Sequence, residues 1–216
     1  MAYTRGSSAN IIVGAAALFT YEPAGGAVQL TDADLPDFDG TDSYKDTLQT
    51  DTDFRNVGYT MNGLEINFQP DFGEVQVDQL LDVARLYKQG MQVNLNTGFA
   101  ESTLENLLFA LAGKDEDYAS GGFTGEFGDG SPTMNLTAGD IGEVPVERGI
   151  VAVGPGSGDA ATNIERVYAA FRALSIENVT VSAKRDEPTM YEVSFRLLPN
   201  DDASYGKIVD RTIADS

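Results

Sequence analysis

A chain of 216 residues without cysteine or histidine cannot build a disulfide framework, a thiolate or imidazole metal site, or a catalytic triad that uses histidine. Its apolar fraction of 42% is that of a folded protein, and its length suits a single domain with long loops spanning residues 1–216. The 34 acidic and 14 basic residues give a net charge of −20, which repels nucleic acid and anionic membranes at long range.

The first predicted element is a buried strand in the apolar run Ile11 to Phe19, continuing to Tyr21. This run is too short to cross a bilayer. A secretory signal would also place an apolar run behind a basic residue such as Arg5, but no clear cleavage segment follows it here. We therefore expect a protein that is made and kept in the cytoplasm and has no membrane partner.

Residues 22–53 predict an extended acidic loop, because they contain nine carboxylates, Lys45 as their only base, and five Pro or Gly residues. A loop of this length commonly binds a partner or forms an assembly contact, although a mobile insertion would have the same composition. Eight of the fourteen basic residues lie from Arg148 onward, so the C-terminal third of a neighbouring subunit is the expected partner. On this interpretation, a chain lacking residues 30–48 would fold but not polymerise.

The same segment contains part of a calcium-loop pattern. Leu35 stands at the first position of that pattern, where a carboxylate is needed, and no flanking helices are indicated. A complete EF-hand is therefore not expected, and a looser calcium site remains open. The residues that do match the pattern are Asp37, Asp39, Gly40 and Asp46.

Three segments alternate between apolar and polar residues and predict strands of one sheet. They begin at Leu64, Val75 and Met91, and Asn62–Gly63 before the first favours a type I′ hairpin turn. Residues 82–87 fit a strand or a helix, and we assign them to a strand. Because alternate side chains of a strand point to opposite faces, the polar ones should share a face. These are Glu65, Asn67, Gln69, Gln76, Asp78, Gln92, Asn94 and Asn96.

Residues 101–112 predict one short amphipathic helix that packs on the sheet. Gly113 supplies a common C-terminal stop. Four leucines at positions i, i+3, i+4 and i+7 form its predicted buried stripe. They are Leu104, Leu107, Leu108 and Leu111.

Residues 114–160 form a predicted Gly-rich connecting region with brief strands. Within it, Gly154–Gly158 follows the strand-like run Ile150 to Val153 and precedes apolar residues at helical spacing in 164–171. This order is typical of a dinucleotide-binding βαβ unit, but Asp159 stands where that fingerprint needs a third glycine, and its carboxylate would face a pyrophosphate. A flexible loop is favoured, and a nucleotide-binding enzyme is the alternative.

Residues 56–84 contain no Lys or Arg, although several carboxylates are present among their amides. An ordinary solvent face usually mixes both signs of charge, whereas a surface that must not bind phosphate would have this composition. Catalysis has no positive signal, because chance pairs of carboxylates are expected among 34 acidic residues and the chain has no Trp for a sugar platform. The segment from Arg166 to Leu198 predicts paired strands around Pro188.

Three blocks in a fixed order resemble the major tail tube proteins of long-tailed bacteriophages. The first runs from Val57-Gly58-Tyr59-Thr60 to Phe68-Gln69-Pro70, the second is Glu74–Gln79, and the third is Phe99–Leu107. A weaker match covers Lys184 to Pro199. The resemblance implies a mainly β fold, a β-sandwich or barrel with one flanking amphipathic α-helix and long loops. It also implies that Arg166 to Leu174 is a strand, against its helical spacing.

The resemblance further implies a structural virion protein and not an enzyme, with no catalytic residue, cofactor or metal. Six copies would form a ring, and stacked rings would form a tail tube with an acidic channel for DNA, assembled in the bacterial cytoplasm. Expected partners are other copies, the tape-measure protein, the tail terminator and tail-tip proteins, and double-stranded DNA that passes without specific binding. The polar residues from Glu65 to Asn96 would face the channel. A capsid decoration or tail-completion protein is a related alternative.

Overall fold

The protein is mainly β, with an eight-stranded antiparallel sheet, a small two-stranded sheet and two short α-helices. The structure is a computed structural model that describes residues 12, 14–23, 29–37, 42–75, 82–138, 141–142, 144–157, 164–182, 185–186 and 188–213. The elements in chain order are β1 (Ala17–Tyr21), α1 (Tyr44–Thr50), β2 (Phe54–Asn56), β3 (Thr60–Val75), β4 (Arg85–Phe99), α2 (Leu104–Ala110), β5 (Tyr118–Ala119), β6 (Thr133–Met134), β7 (Arg148–Pro155), β8 (Ile164–Ser175), β9 (Tyr191–Leu197) and β10 (Gly206–Thr212).

The large sheet has the strand order β2-β1-β7-β8-β9-β4-β3, and β10 also pairs with β8. One edge of β8 pairs with β7, while the other edge pairs with β10 along its first part and with β9 at residues 173–175. The two ends of the order, β2 and β3, are consecutive in the chain and are separated by residues 57–59. The small sheet pairs β5 with β6.

The first hydrophobic cluster lies between the sheet and α2. Three aromatic rings form its centre: Phe109 of α2 stacks on Phe195 of β9 with ring centroids 4.8 Å apart, and on Phe99 of β4 at 5.8 Å. Leu18 and Ile150 join them from β1 and β7 and are at most 1% exposed. Burying these side chains stabilises the sheet and fixes α2 against it.

The second hydrophobic cluster contains the alternate residues of β1 and β7, such as Phe19 and Val151, with residues of β8. It is covered by Leu30, Tyr44 and Leu48, none more than 1% exposed, all from the acidic segment 22–53. The prediction of an extended loop there is therefore wrong for residues 44–50, which form α1, whereas the described residues 29–37 contain no helix or strand. Because β7 is buried on both faces, its sequence is a continuous apolar run instead of an alternating one.

The Asn62–Gly63 dipeptide lies inside β3 and not in the hairpin turn that was predicted. Both residues adopt positive φ, 67° and 72°, as the dipeptide favours. They form a bulge, because Met61 pairs with Gly98 and the next pair joins Leu64 to Thr97. The Thr97 hydroxyl donates to the Gly63 carbonyl at 2.9 Å and fixes the bulge.

The second helix, α2, is shorter than the predicted 101–112. Its first turn is capped by Thr103, whose Oγ1 accepts from the backbone N of Asn106 at 3.2 Å. At the other end Ala112 adopts φ 52°, and the Gly113 N–H donates to the Leu108 carbonyl at 2.9 Å. A Cβ at position 113 would lie 2.6 Å from Leu108 Cδ1, so the Leu108 side chain would have to shift to accommodate another residue there.

The predicted leucine stripe is only partly buried. Leu108 is 6% exposed and Leu107 packs on the first cluster, but Leu111 is 44% exposed, so the prediction is wrong for that residue. Leu111 is the C-cap, where the chain leaves the helix axis, and Phe109 fills the core instead. Leu104 is half-buried. The fully buried residues of α2 are Asn106, Leu108, Phe109 and Ala110.

Leu108→Ala is expected to lower the free energy of unfolding by about 2–5 kcal/mol, because Leu108 is only 6% exposed and its truncation leaves a cavity. Leu111→Ala is the matched control and should change it by less than about 0.5 kcal/mol, since Leu111 is exposed. Chemical denaturation of both variants measures the difference. Equal losses would show that the helix does not pack through Leu108.

The βαβ interpretation of Gly154–Gly158 is wrong. Residues 164–175 form the strand β8, which pairs antiparallel with β7, and a dinucleotide unit needs a helix in that place. Gly158 and Asp159 lie outside the described residues. The strand expected from the family resemblance at Arg166 to Leu174 is confirmed.

Candidate functional site

The candidate site is the polar face of the β3–β4 hairpin. Cross-strand pairing brings six of the eight predicted residues together as three pairs, Glu65 with Asn96, Asn67 with Asn94, and Gln69 with Gln92. Members of a cross-strand pair share a face, and successive pairs two residues apart lie on the same side. The remaining two residues, Gln76 and Asp78, lie outside the described part of the chain.

The apolar residues between these positions point to the opposite side. Ile66 pairs with Leu95 and Phe68 with Val93. Leu95 and Val93 are at most 2% exposed, and Ile66 packs against the first cluster. The six polar side chains therefore point away from the core, as alternation predicted.

The polar face continues onto β9, which the sequence analysis did not assign to it. Asn96 pairs with Ser194, whose hydroxyl donates to Asn96 Oδ1 at 2.7 Å, and Asn94 pairs with Arg196. On the β4 strand itself, Gln92 Nε2 donates to Asn94 Oδ1 at 3.3 Å. We define the polar face by the residues Glu65, Asn67, Gln69, Gln92, Asn94, Asn96, Ser194 and Arg196.

Arg196 corrects the expectation of a face without cations. The absence of Lys and Arg from residues 56–84 concerns β3 alone, and pairing with β9 places a guanidinium beside Asn94. Arg196 is exposed and makes no ion pair with any carboxylate that the structure describes. One cation thus lies in the middle of an otherwise neutral amide row.

One end of the polar face is acidic. A groove of about 250 Å³ there is lined by Glu65, Glu177 and Glu192, together with the amides of Asn62 and Asn96. In the described part of the chain, no group of three or more acidic side chains is arranged to hold a metal ion. The face can accept and donate hydrogen bonds through amides and hydroxyls, and its carboxylates repel phosphate.

A partly buried ion-pair network lies near the start of the acidic segment. Glu22 binds Arg55 through both of its oxygens, each 3.1 Å from Nε, and lies 3.7 Å from Arg148 Nη1. Arg148, whose side chain is 4% exposed, also donates to Asp115 at 2.5 Å. Arg55 donates to Asn106 Oδ1 at 2.8 Å. The network joins β2, α2 and β7 around one carboxylate.

Asn106 has a structural role that the leucine pattern did not indicate. It is 1% exposed, and its Nδ2 donates to the carbonyls of Val57 and Glu101 at 2.9 and 3.0 Å. The signal available in the sequence is a single amide among the leucines of a short helix. Such a residue has to find partners when the helix is buried.

Basic side chains and one carboxylate, all of the same chain, hold the acidic segment in place. Glu165 of β8 accepts from the Ser43 hydroxyl and from the backbone N of Tyr44 at 2.9 Å, so it caps α1 from outside the helix. Arg211 of β10 donates to the Asp42 carbonyl at 3.0 Å and lies over the Tyr44 ring at 5.6 Å. Burial raises the pKa of the Tyr44 hydroxyl to about 12.

These contacts revise the prediction for the segment. The C-terminal third does supply the basic partners, and Lys207 pairs with Asp32 in addition. The partners that the structure shows belong to the same chain, and the expected contact with a neighbouring subunit stays a prediction. Asp39 and Gly40 of the calcium-loop pattern lie outside the described residues.

No protein-family model matches the chain, and no curated protein matches it in sequence. Within the described ranges, no helix has the length and apolar character needed to cross a membrane.

Proposed function

We propose that the chain is a structural subunit that assembles with copies of itself into the tail tube of a long-tailed bacteriophage. Six copies would form a ring, and stacked rings would enclose a channel. The observation that carries this proposal is the polar face, whose ordered rows of amide side chains lie on the outside of a sheet that is apolar beneath. Such a face suits a channel lining that must hydrate passing DNA without binding it.

The free edge of β3 supports assembly through the sheet. β3 is 16 residues long and pairs with β4 on one side only, among the strands that the structure describes. An unpaired edge of this length is a template for pairing with another chain. Pairing between copies would continue the sheet around a ring and remove the edges, as in a closed barrel. The eight-stranded sheet with α2 at its side is compatible with the sandwich-like or barrel-like fold of tail tube proteins.

The charge distribution supports a channel that DNA can slide through. Glu65 and the nearby Glu177 and Glu192 repel phosphates, while the amides between them carry no charge. Arg196 would add one cation per copy to the lining. Six guanidinium groups per ring, each beside neutral amides, would make weak contacts with DNA that acidic neighbours offset.

The remaining parts of the proposal follow from a tail tube role. The protein would be located in the virion tail and would not be an enzyme. Its partners would be further copies, the tape-measure protein, the tail terminator and tail-tip proteins, and DNA in transit.

Electron microscopy of the concentrated, purified protein tests the proposal. Rings with a central hole, or tubes built from them, are the expected result. Dispersed single subunits at every concentration and ionic strength would contradict it.

Asn67→Lys is expected to assemble normally but to slow the ejection of DNA from particles that carry it. The new cation faces the channel in every copy, where it can pair with phosphate and displace counterions. Raised salt should relieve the defect, because it screens that attraction. Asp78→Lys should act in the same way, although Asp78 lies outside the described residues.

Gln49→Lys is the matched control for the added charge, since Gln49 is exposed on α1 and does not belong to the polar face. Ejection rates of both variants, followed by dye binding to released DNA, give the comparison. A wild-type rate for Asn67→Lys would remove the polar face from the channel.

A further inference from the structure

The backbone groups on the free side of β3 can be assigned from one hydrogen bond. The Met91 carbonyl accepts from the Tyr205 hydroxyl at 2.6 Å, so it points away from β3. In an antiparallel ladder, the two members of a pair direct their backbone groups either towards each other or both away. Pro70, the partner of Met91, therefore directs its backbone groups to the free side of β3. Because proline has no N–H, its position here costs β3 no bond to β4.

The same alternation sets the length of the free edge. Leu64, Ile66 and Phe68 precede Pro70 at intervals of two residues without a register shift, so each directs an N–H and a carbonyl to the free side. Pro70 supplies a carbonyl only, and the bulge at residues 62–63 ends the regular ladder on the other side. We call residues 64–70 the β3 edge, and no strand that the structure describes pairs with it.

A second edge of the same sheet lies beyond β9. Residues 176–182 follow β8 and run beside β9. The Ile176 N–H donates to the Ser194 carbonyl at 3.1 Å, and the Ser182 carbonyl accepts from the Thr189 hydroxyl at 3.3 Å. We call residues 176–182 the distal edge. It has the same length as the β3 edge.

The distal edge has the composition of a strand but no ladder of its own. β7 pairs with β8 only as far as Ala173, and no backbone hydrogen bond joins residues 177–181 to any residue that the structure describes. Its backbone groups are thus free to bind a partner strand. Four of its seven residues are β-branched and favour strands. They are Ile176, Val179, Thr180 and Val181.

The apolar and polar sides of the two edges match. On the distal edge, Val179 packs against the first hydrophobic cluster, so its exposed neighbours Asn178 and Thr180 lie on the side of the polar face. On the β3 edge, Ile66 packs against the same cluster and Asn67 belongs to the polar face. A strand pairing that continues the sheet from one copy to the next therefore joins apolar side to apolar side.

Each edge also leaves one large apolar side chain half-exposed on its apolar side. Phe68 of the β3 edge is 52% exposed, and Val181 of the distal edge is 55% exposed. Pairing of the two edges places both side chains in one apolar layer. Their burial adds to the hydrogen bonds of the ladder and offsets part of the repulsion between acidic copies.

The carboxylates of the two edges favour one direction of pairing. Glu65 is the second residue of the β3 edge, and Glu177 is the second residue of the distal edge. Parallel pairing would place them side by side, where like charges destabilise a sheet. Antiparallel pairing separates them by four residue positions, or about 13 Å along the strands.

Ring symmetry requires the same direction. β3, β4, β9 and the distal edge alternate in direction across the sheet. Copies related by rotation about a ring axis keep the direction of each strand relative to that axis. The distal edge of one copy and the β3 edge of the next are then antiparallel. Four strands per copy at about 4.8 Å spacing and six copies give a diameter of roughly 37 Å before strand tilt widens it, enough for a DNA duplex.

We propose that the β3 edge of one copy pairs antiparallel with the distal edge, residues 176–182, of the next copy. The inference rests on the proposed function, because it names the segment that receives the free edge of β3 within a ring. Asn67 of one copy then lies near Thr180 of the next, at the middle of the contact. Pairing converts the distal edge into a regular strand.

Disulfide trapping tests the pairing. The chain has no cysteine, so single-cysteine variants react only at the introduced positions. Asn67→Cys and Thr180→Cys are mixed at high protein concentration and oxidised. The mixture should give about tenfold more covalent dimer than either variant alone, because only the mixed pair brings two Cβ atoms within disulfide distance. Gln49→Cys replaces Asn67→Cys as the control, since Gln49 is exposed on α1, and its mixture with Thr180→Cys should stay unlinked.

Asn178→Cys extends the trapping to a register shifted by two residues. If Asn67→Cys links to neither Thr180→Cys nor Asn178→Cys, the inference is overturned. Efficient linking of Asn67→Cys to itself would overturn it as well, because that result shows β3 paired with β3.

A proline at position 68 tests the hydrogen bonds of the contact. The Phe68 N–H points to the free side, so Phe68→Pro removes a donor of the contact and no bond to β4. Phe68→Ala is the matched control, because it loses the same ring but keeps the N–H. Phe68→Pro should need about tenfold more protein to assemble than Phe68→Ala, since an acceptor of the next copy is left unpaired. Circular dichroism checks that both variants are folded, and equal concentrations for the two would contradict the pairing.

The outcomes separate this inference from the proposed function. Wild-type rings in electron micrographs, without the mixed disulfide, would leave the tail tube role standing and remove this contact. Mixed disulfides in open strings that never close into rings would support the contact and contradict the tail tube role. Neither rings nor disulfides would overturn both.

Discussion

Deletion of residues 30–48 is expected to abolish folding of the chain, instead of giving a folded subunit that cannot polymerise. The deletion removes Leu30, Tyr44 and Leu48, which are at most 1% exposed and form one wall of the second cluster. Burial of each contributes about 1.5–3 kcal/mol, against a net stability of about 5–15 kcal/mol for a whole domain. Phe19 and Val151 would lose their cover at the same time.

Thermal unfolding followed by circular dichroism measures the effect of the deletion. Two point variants provide reference values for the deletion. Leu48→Ala should lower the free energy of unfolding by about 2–5 kcal/mol, and Gln49→Ala, at the adjacent exposed position, by less than about 0.5 kcal/mol. A deletion variant that melts cooperatively near the wild-type temperature would contradict the structure here. It would restore the interpretation of the segment as an assembly contact alone.

The alternating strands were predictable because one face of each strand is exposed to solvent. In β3 and β4 the polar residues Glu65, Asn67 and Asn94 alternate with core residues, and the sequence pattern alone assigned them to one face. In β9 the same alternation is visible, with Glu192 and Arg196 exposed between buried neighbours. What the sequence could not supply is the pairing partner of β9, which decides that Arg196 joins the polar face.

The elements buried on both sides were not predictable in the same way. β8 carries apolar residues at successive positions, including Val167, Ala169 and Ala170, because one face meets each cluster. Burial on both faces removes the period of two, and a helical spacing appears by chance. The family resemblance, and not the periodicity, indicated a strand there.

Helix α1 was missed because its stabilising contacts are distant in sequence. It has seven residues and only two buried side chains, Tyr44 and Leu48, within an acidic segment. Its N-cap, Ser43, makes no capping hydrogen bond of its own, and Glu165 supplies the acceptor from 121 residues away. A short helix of this kind forms through tertiary packing and not through local propensity.

Glu22→Ala is expected to have the second large effect on stability. It should lower the free energy of unfolding by about 3 kcal/mol or more. Glu22 neutralises Arg55 and the nearly buried Arg148, and its Oε1 also accepts from the Thr20 hydroxyl at 2.8 Å. Removing one partner of a buried ion pair leaves a desolvated charge, which costs about 3–5 kcal/mol. Asp115 remains beside Arg148 and offsets part of that loss.

A double-mutant cycle with Arg148→Met assigns the loss to the ion pair. If Glu22 acts mainly by neutralising Arg148, then Glu22→Ala should cost much less in the Arg148→Met background, because no buried charge is left uncompensated. Glu116→Ala is the control, since its pair with Lys114 at 3.3 Å is largely exposed and is worth at most about 1 kcal/mol. Chemical denaturation of the four proteins of the cycle provides the measurement. Additive losses in the cycle would show that Glu22 holds β2 through Arg55 alone.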